Sequence, residues 1–153
     1  MFTKEVKKEL TIAFWDKVKN ALSKYKSSHG GRINWLNYPT GVKGIRINLF
    51  ADNNIASVNL DLEHQDLGIR ELHLEQLREC QKVLEKEFDA PLIWHEIFTR
   101  ENGKIITRIQ PEPLKANLFK EEDHQSIIEY FKIHMHAFDR FWNNFGAIFD
   151  DLQ

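Results

Sequence analysis

The stretch from Gly44 to Asp66, GIRINLFADNNIASVNLDLEHQD, decides the fold. On both sides of Asp52-Asn53-Asn54 apolar and polar side chains alternate, with Ile45, Ile47 and Leu49 before the turn and Val58, Leu60 and Leu62 after it. A period of two sends successive side chains to opposite faces of a strand. The segment therefore reads as a hairpin of two strands, Gly44 to Phe50 and Ile55 to Gln65, each with one greasy and one polar face. A two-residue type I′ turn at Asn53-Asn54 sets the partners. Leu49 then opposes Val58, Ile47 opposes Leu60 and Ile45 opposes Leu62, while Arg46 meets Asp61 and Asn48 meets Asn59 on the polar side. A slip of two residues changes the partners and leaves the faces unchanged.

Upstream, PTGVKG joins this hairpin to a further expected strand, Arg32 to Tyr38. Before that lies a helix from Thr3 to Ser27, with Thr3 as N-cap and His29-Gly30-Gly31 as terminator. Its buried arc holds Val6, Leu10, Ala13, Phe14, Val18, Ala21 and Tyr25, opposite Lys4, Lys8, Lys19 and Lys26. Trp15 and Leu22 read as a widening of that arc under lysine stems. Downstream, Leu67 to Glu87 reads as a helix whose buried arc holds Ile69, Leu72, Leu77, Cys80, Val83 and Leu84, so Cys80 is a small core residue and not a nucleophile. Strands Leu92 to Thr99 and Lys104 to Gln110 follow, joined by RENGK, where Asn102-Gly103 signals a type I′ turn. PEPLKANLF crosses to a last helix, Glu121 to Phe149, whose leading acids suit its positive end. The order α-β-β-β-α-β-β-α implies an α+β domain over residues 1–153, with a five-stranded, mostly antiparallel sheet and helices mainly on one face.

The 153 residues suffice for one self-supporting core. One cysteine excludes a disulfide framework and a cysteine-based zinc site, and points to a reducing, cytoplasmic setting. No signal-peptide core or membrane-spanning run is present in the sequence. The net charge of −2 hides an asymmetry: residues 1–50 hold ten Lys/Arg against three Asp/Glu, and the remainder eleven against twenty. Solvated faces and internal pairing account for it; an anionic partner for the basic half is the alternative.

Asn59, Asp61, Glu63 and Gln65 share the polar strand face, and carboxylates two residues apart stand roughly 7 Å from each other, within reach of one Mg²⁺ or Mn²⁺. The competing reading of the same residues is a surface pair between Arg46 and Asp61. His134-Met135-His136 fails as a metal pair, because two residues on a helix are about 200° apart. His134 falls on the core arc and is expected to be satisfied there, and His95 and Glu96 point to opposite faces of their strand. Trp35, if it leaves the core beside Arg32, Lys43 and Arg46, makes a ligand platform.

The succession of helix, strands, helix and strand is similar to the core order of the PD-(D/E)xK nucleases. That resemblance implies metal-dependent cleavage with Asp61 and Glu63 as ligands and Gln65 in the place of the family's lysine. The segments INWLNYPTGVKGI (33–45), PLIWHEIFTRENGKIITRI (91–109) and FDRFW (138–142) resemble, in order and spacing, a bacterial family of uncharacterised domains of about this length. Trp35, Tyr38, Thr40-Gly41, Trp94, Arg108 and Phe141-Trp142 carry the likeness. It implies a stand-alone protein or the C-terminal part of a longer, nuclease-like or defence-related chain, and it assigns no catalytic residue.

These observations lead to a cytoplasmic binding or accessory module working through its polar sheet face, with Trp35, Lys43, Arg46, Asn48 and Arg108 as binding residues and no cofactor or resident metal. Nucleic acid or another protein is the candidate partner, without a membrane. The alternatives are a degenerate nuclease using Asp61, Glu63 and Gln65, and a homo-oligomeric or partner-docking subunit.

Overall fold

A computed structural model of the chain describes residues 2–152. Its elements are α1 (Lys4–Leu22), β1 (Ile45–Ala51), β2 (Ile55–Leu62), α2 (Leu67–Glu79), α3 (Gln81–Phe88), β3 (Ile93–Thr99), β4 (Ile105–Gln110), β5 (Leu114–Lys115) and α4 (His124–Phe145), with short 3-10 turns at Trp35–Asn37, Glu121–Asp123 and Gly146–Leu152. The α+β class, the five antiparallel strands and the packing of helices on one face are as the sequence implied. No helix among the described residues is long and apolar enough to cross a membrane.

The sheet runs β1-β2-β4-β3, with β5 also paired to β2. The central hairpin has the expected register: Ile45 faces Leu62, Arg46 Asp61, Ile47 Leu60, Asn48 Asn59 and Leu49 Val58. Its turn is of another kind. Asp89 is the one non-glycine residue with positive φ among those described, so Asn53 and Asn54 do not form a type I′ turn. The Asp52 carboxylate instead accepts from the backbone N–H groups of Asn54 and Ile55, both at 2.8 Å, a local bond that fixes the reversal without left-handed residues. In RENGK only Gly103 has positive φ, 84°. Its N–H donates to Arg100 O at 2.8 Å while Arg100 N–H donates to Lys104 O at 2.9 Å, which is a three-residue loop closed by a glycine bulge.

Residues 32–38 are not a strand. The Asn34 side chain accepts from the N–H groups of Leu36 and Asn37 and winds Trp35–Asn37 into a 3-10 turn, which withdraws those donors from any ladder. The fifth strand is Leu114–Lys115, which pairs with Ala56 and Ile55 at the start of β2. It resumes beside β2 after Pro111 and Pro113, two residues without a ladder donor, break β4.

Helix α1 begins at the Thr3 cap, whose hydroxyl accepts from Val6 N–H, but ends at Leu22 rather than Ser27. The following turn is held by Asp139. This buried carboxylate accepts from the Ser27 hydroxyl at 2.8 Å, the Ser28 N–H at 2.6 Å and the Tyr38 hydroxyl at 2.5 Å. Burial, reinforced by that bond, pushes the Tyr38 hydroxyl far above its ordinary pKa, so it stays a donor. The expected long second helix divides at Cys80 into α2 and α3. Burial raises the pKa of the Cys80 thiol, which disfavours the thiolate.

Phe131, Phe138 and Phe141 of α4 belong to one core with Val58, Leu60 and Leu62 of β2 and with Phe14, Val18 and Leu22 of α1. Trp15 stacks on Phe131 with ring centroids 5.8 Å apart, so it and Leu22 do extend the buried arc of α1.

Three histidines lie in this layer without full pairing. Both ring nitrogens of buried His73, Nδ1 of His134 and Nε2 of His136 have no hydrogen-bond partner; His134 is thus packed, against Phe88 and Tyr130, but not satisfied as expected. Burial lowers the pKa of all three, with the His64 charge adding to the effect at His73. As the pH falls through the unfolded value of 6.5, the unfolded chain takes up protons that the folded chain refuses. Their contribution to stability is therefore complete above that value and lost below it. Urea midpoints measured across that range should fall on acidification, and His73→Phe should flatten the slope; an equal slope in the variant would contradict this assignment.

Candidate functional site

The face of the sheet away from the helices carries Arg46, Asn48 and Phe50 from β1, Ser57, Asn59 and Asp61 from β2, Arg108 and Gln110 from β4, and His95 and Phe98 from β3. Asn59, Asp61 and Ser57 are buried although the helices lie on the opposite side. Side chains of the flanking strands lie over them and form a continuous network. Gln110 Nε2 donates to Asn59 Oδ1 at 2.5 Å, Asn59 Nδ2 to Asn48 Oδ1 at 3.1 Å, and Asn48 Nδ2 to Asp61 Oδ2 at 2.8 Å. His95 Nε2 closes the far end against Gln110 Oε1 at 3.1 Å.

Asp61 is the centre, and its side chain is 0% exposed. Arg108 donates to it twice, from Nε to Oδ1 at 2.8 Å and from Nη2 to Oδ2 at 2.9 Å. Arg100 Nη2 donates at 3.0 Å to Asp61 Oδ2 and at 3.0 Å to Glu63 Oε1. Burial works against the Arg100 charge, but its bonds to Glu63 and Asp61 outweigh that and raise its pKa. Two guanidinium groups thus balance two carboxylates in one partly desolvated cluster.

Arg100 reaches this cluster because β3 is bulged. The register with β4 shifts by one residue between His95 and Phe98, and a bulge bends and twists its strand. The extra residue leaves Ile97 79% exposed on the sheet edge. The hairpin tip thereby overhangs the open face, and Phe98 packs on the Arg108 guanidinium, 4.2 Å from its ring centroid. Between this tip and the β1–β2 hairpin lies a cavity of about 500 Å³, lined by Phe50, Ile55, Ser57, Phe98, Arg100 and Arg108 and bordered by Asp52 and Glu101.

The sequence candidates separate on these contacts. Arg108 is in the cavity wall, and Asn48 lies beneath it in the network. Arg46 and Lys43 are exposed and outside the cavity lining. Arg46 stands opposite Asp61 but does not bond it, because Arg108 and Arg100 occupy both carboxylate oxygens. Trp35 is only 2% exposed and its indole N–H donates to Tyr25 O at 3.0 Å; it anchors the 27–38 segment and is no ligand platform. Glu63 and Gln65 lie beyond β2, which ends at Leu62, and Gln65 is exposed in the bend before α2. Among the described residues no group of three or more His, Cys, Asp or Glu is placed to hold a metal ion. Arg100, Phe98 and Phe50 were missed. Only the placement of Arg100 and Phe98 beside the Asn102-Gly103 turn hinted that they could reach across the sheet.

A family model described as a domain of unknown function (DUF4268) matches residues 10–145. The chain belongs to this family. No curated protein and no solved structure matches it. The match runs from within α1 to the end of α4 and includes both hairpins that frame the cavity.

Proposed function

We propose that the chain acts as a single-domain cytoplasmic binding module whose site is the groove between the β3–β4 tip and the β1–β2 hairpin. The observation that carries this reading is a largely apolar cavity of about 500 Å³ on the uncovered sheet face, walled by two phenylalanines and edged by two fixed guanidinium groups. Sites for small ligands are concave, largely apolar and carry a few convergent polar groups, with volumes of about 300–1,000 Å³. The Asp61 cluster supports the site by holding Arg108 and Arg100 still.

Metal-dependent cleavage draws little support from the same residues. Asp61 already receives four N–H donors, from Asn48, Arg100 and twice from Arg108, and a divalent ion would have to displace guanidinium groups to reach it. A polyanion such as nucleic acid gains little from Arg100 and Arg108, which are offset by carboxylates. An oligomer paired along β3 would have to accommodate the bulge at that edge.

A ligand-observed NMR screen against a mixed fragment set tests the reading. Fragments that bind the wild-type chain should lose about tenfold or more in affinity with Phe98→Ala, the equivalent of roughly 1.4 kcal/mol, and keep their affinity with Arg46→Ala. Equal binding to wild type and Phe98→Ala, with the variant still folded, would remove the groove from consideration.

A further inference from the structure

We propose that the groove takes a neutral heteroaromatic ring system whose edge carries hydrogen-bond acceptors, an inference that rests on the groove being the binding site. Three properties of the lining lead to this class. The first is the apolar, partly aromatic wall of Phe50, Ile55 and Phe98, which favours a flat, low-polarity body over a hydrated one.

The second is an excess of donors. Arg108 uses Nε and Nη2 on Asp61 and leaves Nη1 without a partner among the described residues. Arg100 uses only Nη2 and leaves Nε and Nη1. Ser57 is 1% exposed and lines the cavity, and its hydroxyl takes part in no side-chain hydrogen bond among the described residues. Deep in the groove the acceptors are engaged, Asp61 by the guanidinium groups and the Gln110 carbonyl by His95, while the Asp52 and Glu101 carboxylates stand only at its border. A ligand must therefore bring acceptors. A hydrocarbon would leave buried donors unpaired, and an extended peptide would bring N–H donors that find few acceptors here.

The third is charge. Arg100 and Arg108 are offset by Asp61 and Glu63, and Asp52 and Glu101 add negative charge at the border. A phosphate or other multiply charged anion gains little from such a site. A neutral ring with carbonyl or ring-nitrogen acceptors meets all three conditions.

The test is a set of NMR titrations of the ¹⁵N-labelled full chain with adenosine, quinazolinone, naphthalene and inorganic phosphate. Adenosine and quinazolinone should shift the amides of Phe50, Ser57, Phe98 and Arg100 saturably, with affinity nearly constant between roughly 0.05 and 0.5 M salt. Ser57→Ala, checked for an unchanged melting curve, should weaken them by about threefold to tenfold, the size of one hydrogen bond. Naphthalene or phosphate binding in the groove as tightly as the heteroaromatic probes would overturn the ligand class and leave the groove standing as a site. Shifts confined to another surface, or no saturable shift with any probe, would overturn the class and the site together.

Discussion

Replacing Arg108 with methionine should cost the fold about 3–5 kcal/mol, the penalty for stranding a buried carboxylate without its main partner. Arg108 is itself only 11% exposed, and it supplies two of the four hydrogen bonds to an Asp61 side chain that is 0% exposed. The aliphatic stem of methionine keeps much of the packing, so the loss reports the charge pair and not a cavity. Asp61→Asn should also be costly, because two guanidinium groups then face an amide. The double variant should lose less than the sum of the two, with a coupling of about 1–3 kcal/mol. Urea unfolding measures this as a shift of midpoint at constant slope. A loss below about 1 kcal/mol for Arg108→Met would place the pair with ordinary exposed ion pairs, and the groove would lose its rigid edge.

Asp139→Ala should cost a similar amount, about 3–5 kcal/mol, for a different reason. The Asp139 carboxylate is the shared acceptor for Ser27, Ser28, Tyr38 and Asn143. Without it, the hydroxyl of buried Tyr38 loses its acceptor and the Ser28 N–H loses its partner. The segment between α1 and β1 is tied to α4 through this group, through Asn143, which donates to the Ser27 hydroxyl, and through the Trp142 indole, which donates to Thr40 O at 2.8 Å. Amide exchange over residues 27–40 should therefore quicken well before the sheet opens. Tyr38→Phe removes one donor and leaves the carboxylate paired, so its cost should be smaller, about 1 kcal/mol. Uniform exchange across the chain in Asp139→Ala would show that this segment is held by something else.

The contrast between these two carboxylates shows what could be read from the chain and what could not. The hairpin was legible to the residue, because a period of two combined with one turn fixes every partner from Ile45 to Leu62. The turn types were not, since Asp52 supplies through its side chain what left-handed asparagines would otherwise provide. Residues 32–38 have the apolar and polar alternation of a strand, yet Asn34 caps a 3-10 turn and Trp35 finds its partner in Tyr25, ten residues back in the chain. Local patterning holds no record of such contacts. The same limit applies to the site. Asp61 and Arg108 lie on the polar face that the alternation implies, but Asp61 pairs with Arg108 and Arg100 rather than with Arg46 or a metal ion. The bulge that brings Arg100 over the sheet depends on a one-residue shift between β3 and β4, which no single strand reveals. Asp139 lies in FDRFW on a helix that reads as amphipathic, and nothing near it in the chain marks it as the acceptor for residues a hundred positions away.

A crystallographic fragment screen on the wild-type chain bears most directly on the groove as the working surface. Bound fragments should gather between Phe98 and the β1–β2 hairpin, with acceptor atoms turned toward Arg100, Arg108 or Ser57 and the Asp61 cluster unmoved. Fragments that leave this groove empty and collect elsewhere, or that enter it only by breaking the bonds between Arg108 and Asp61, would contradict it.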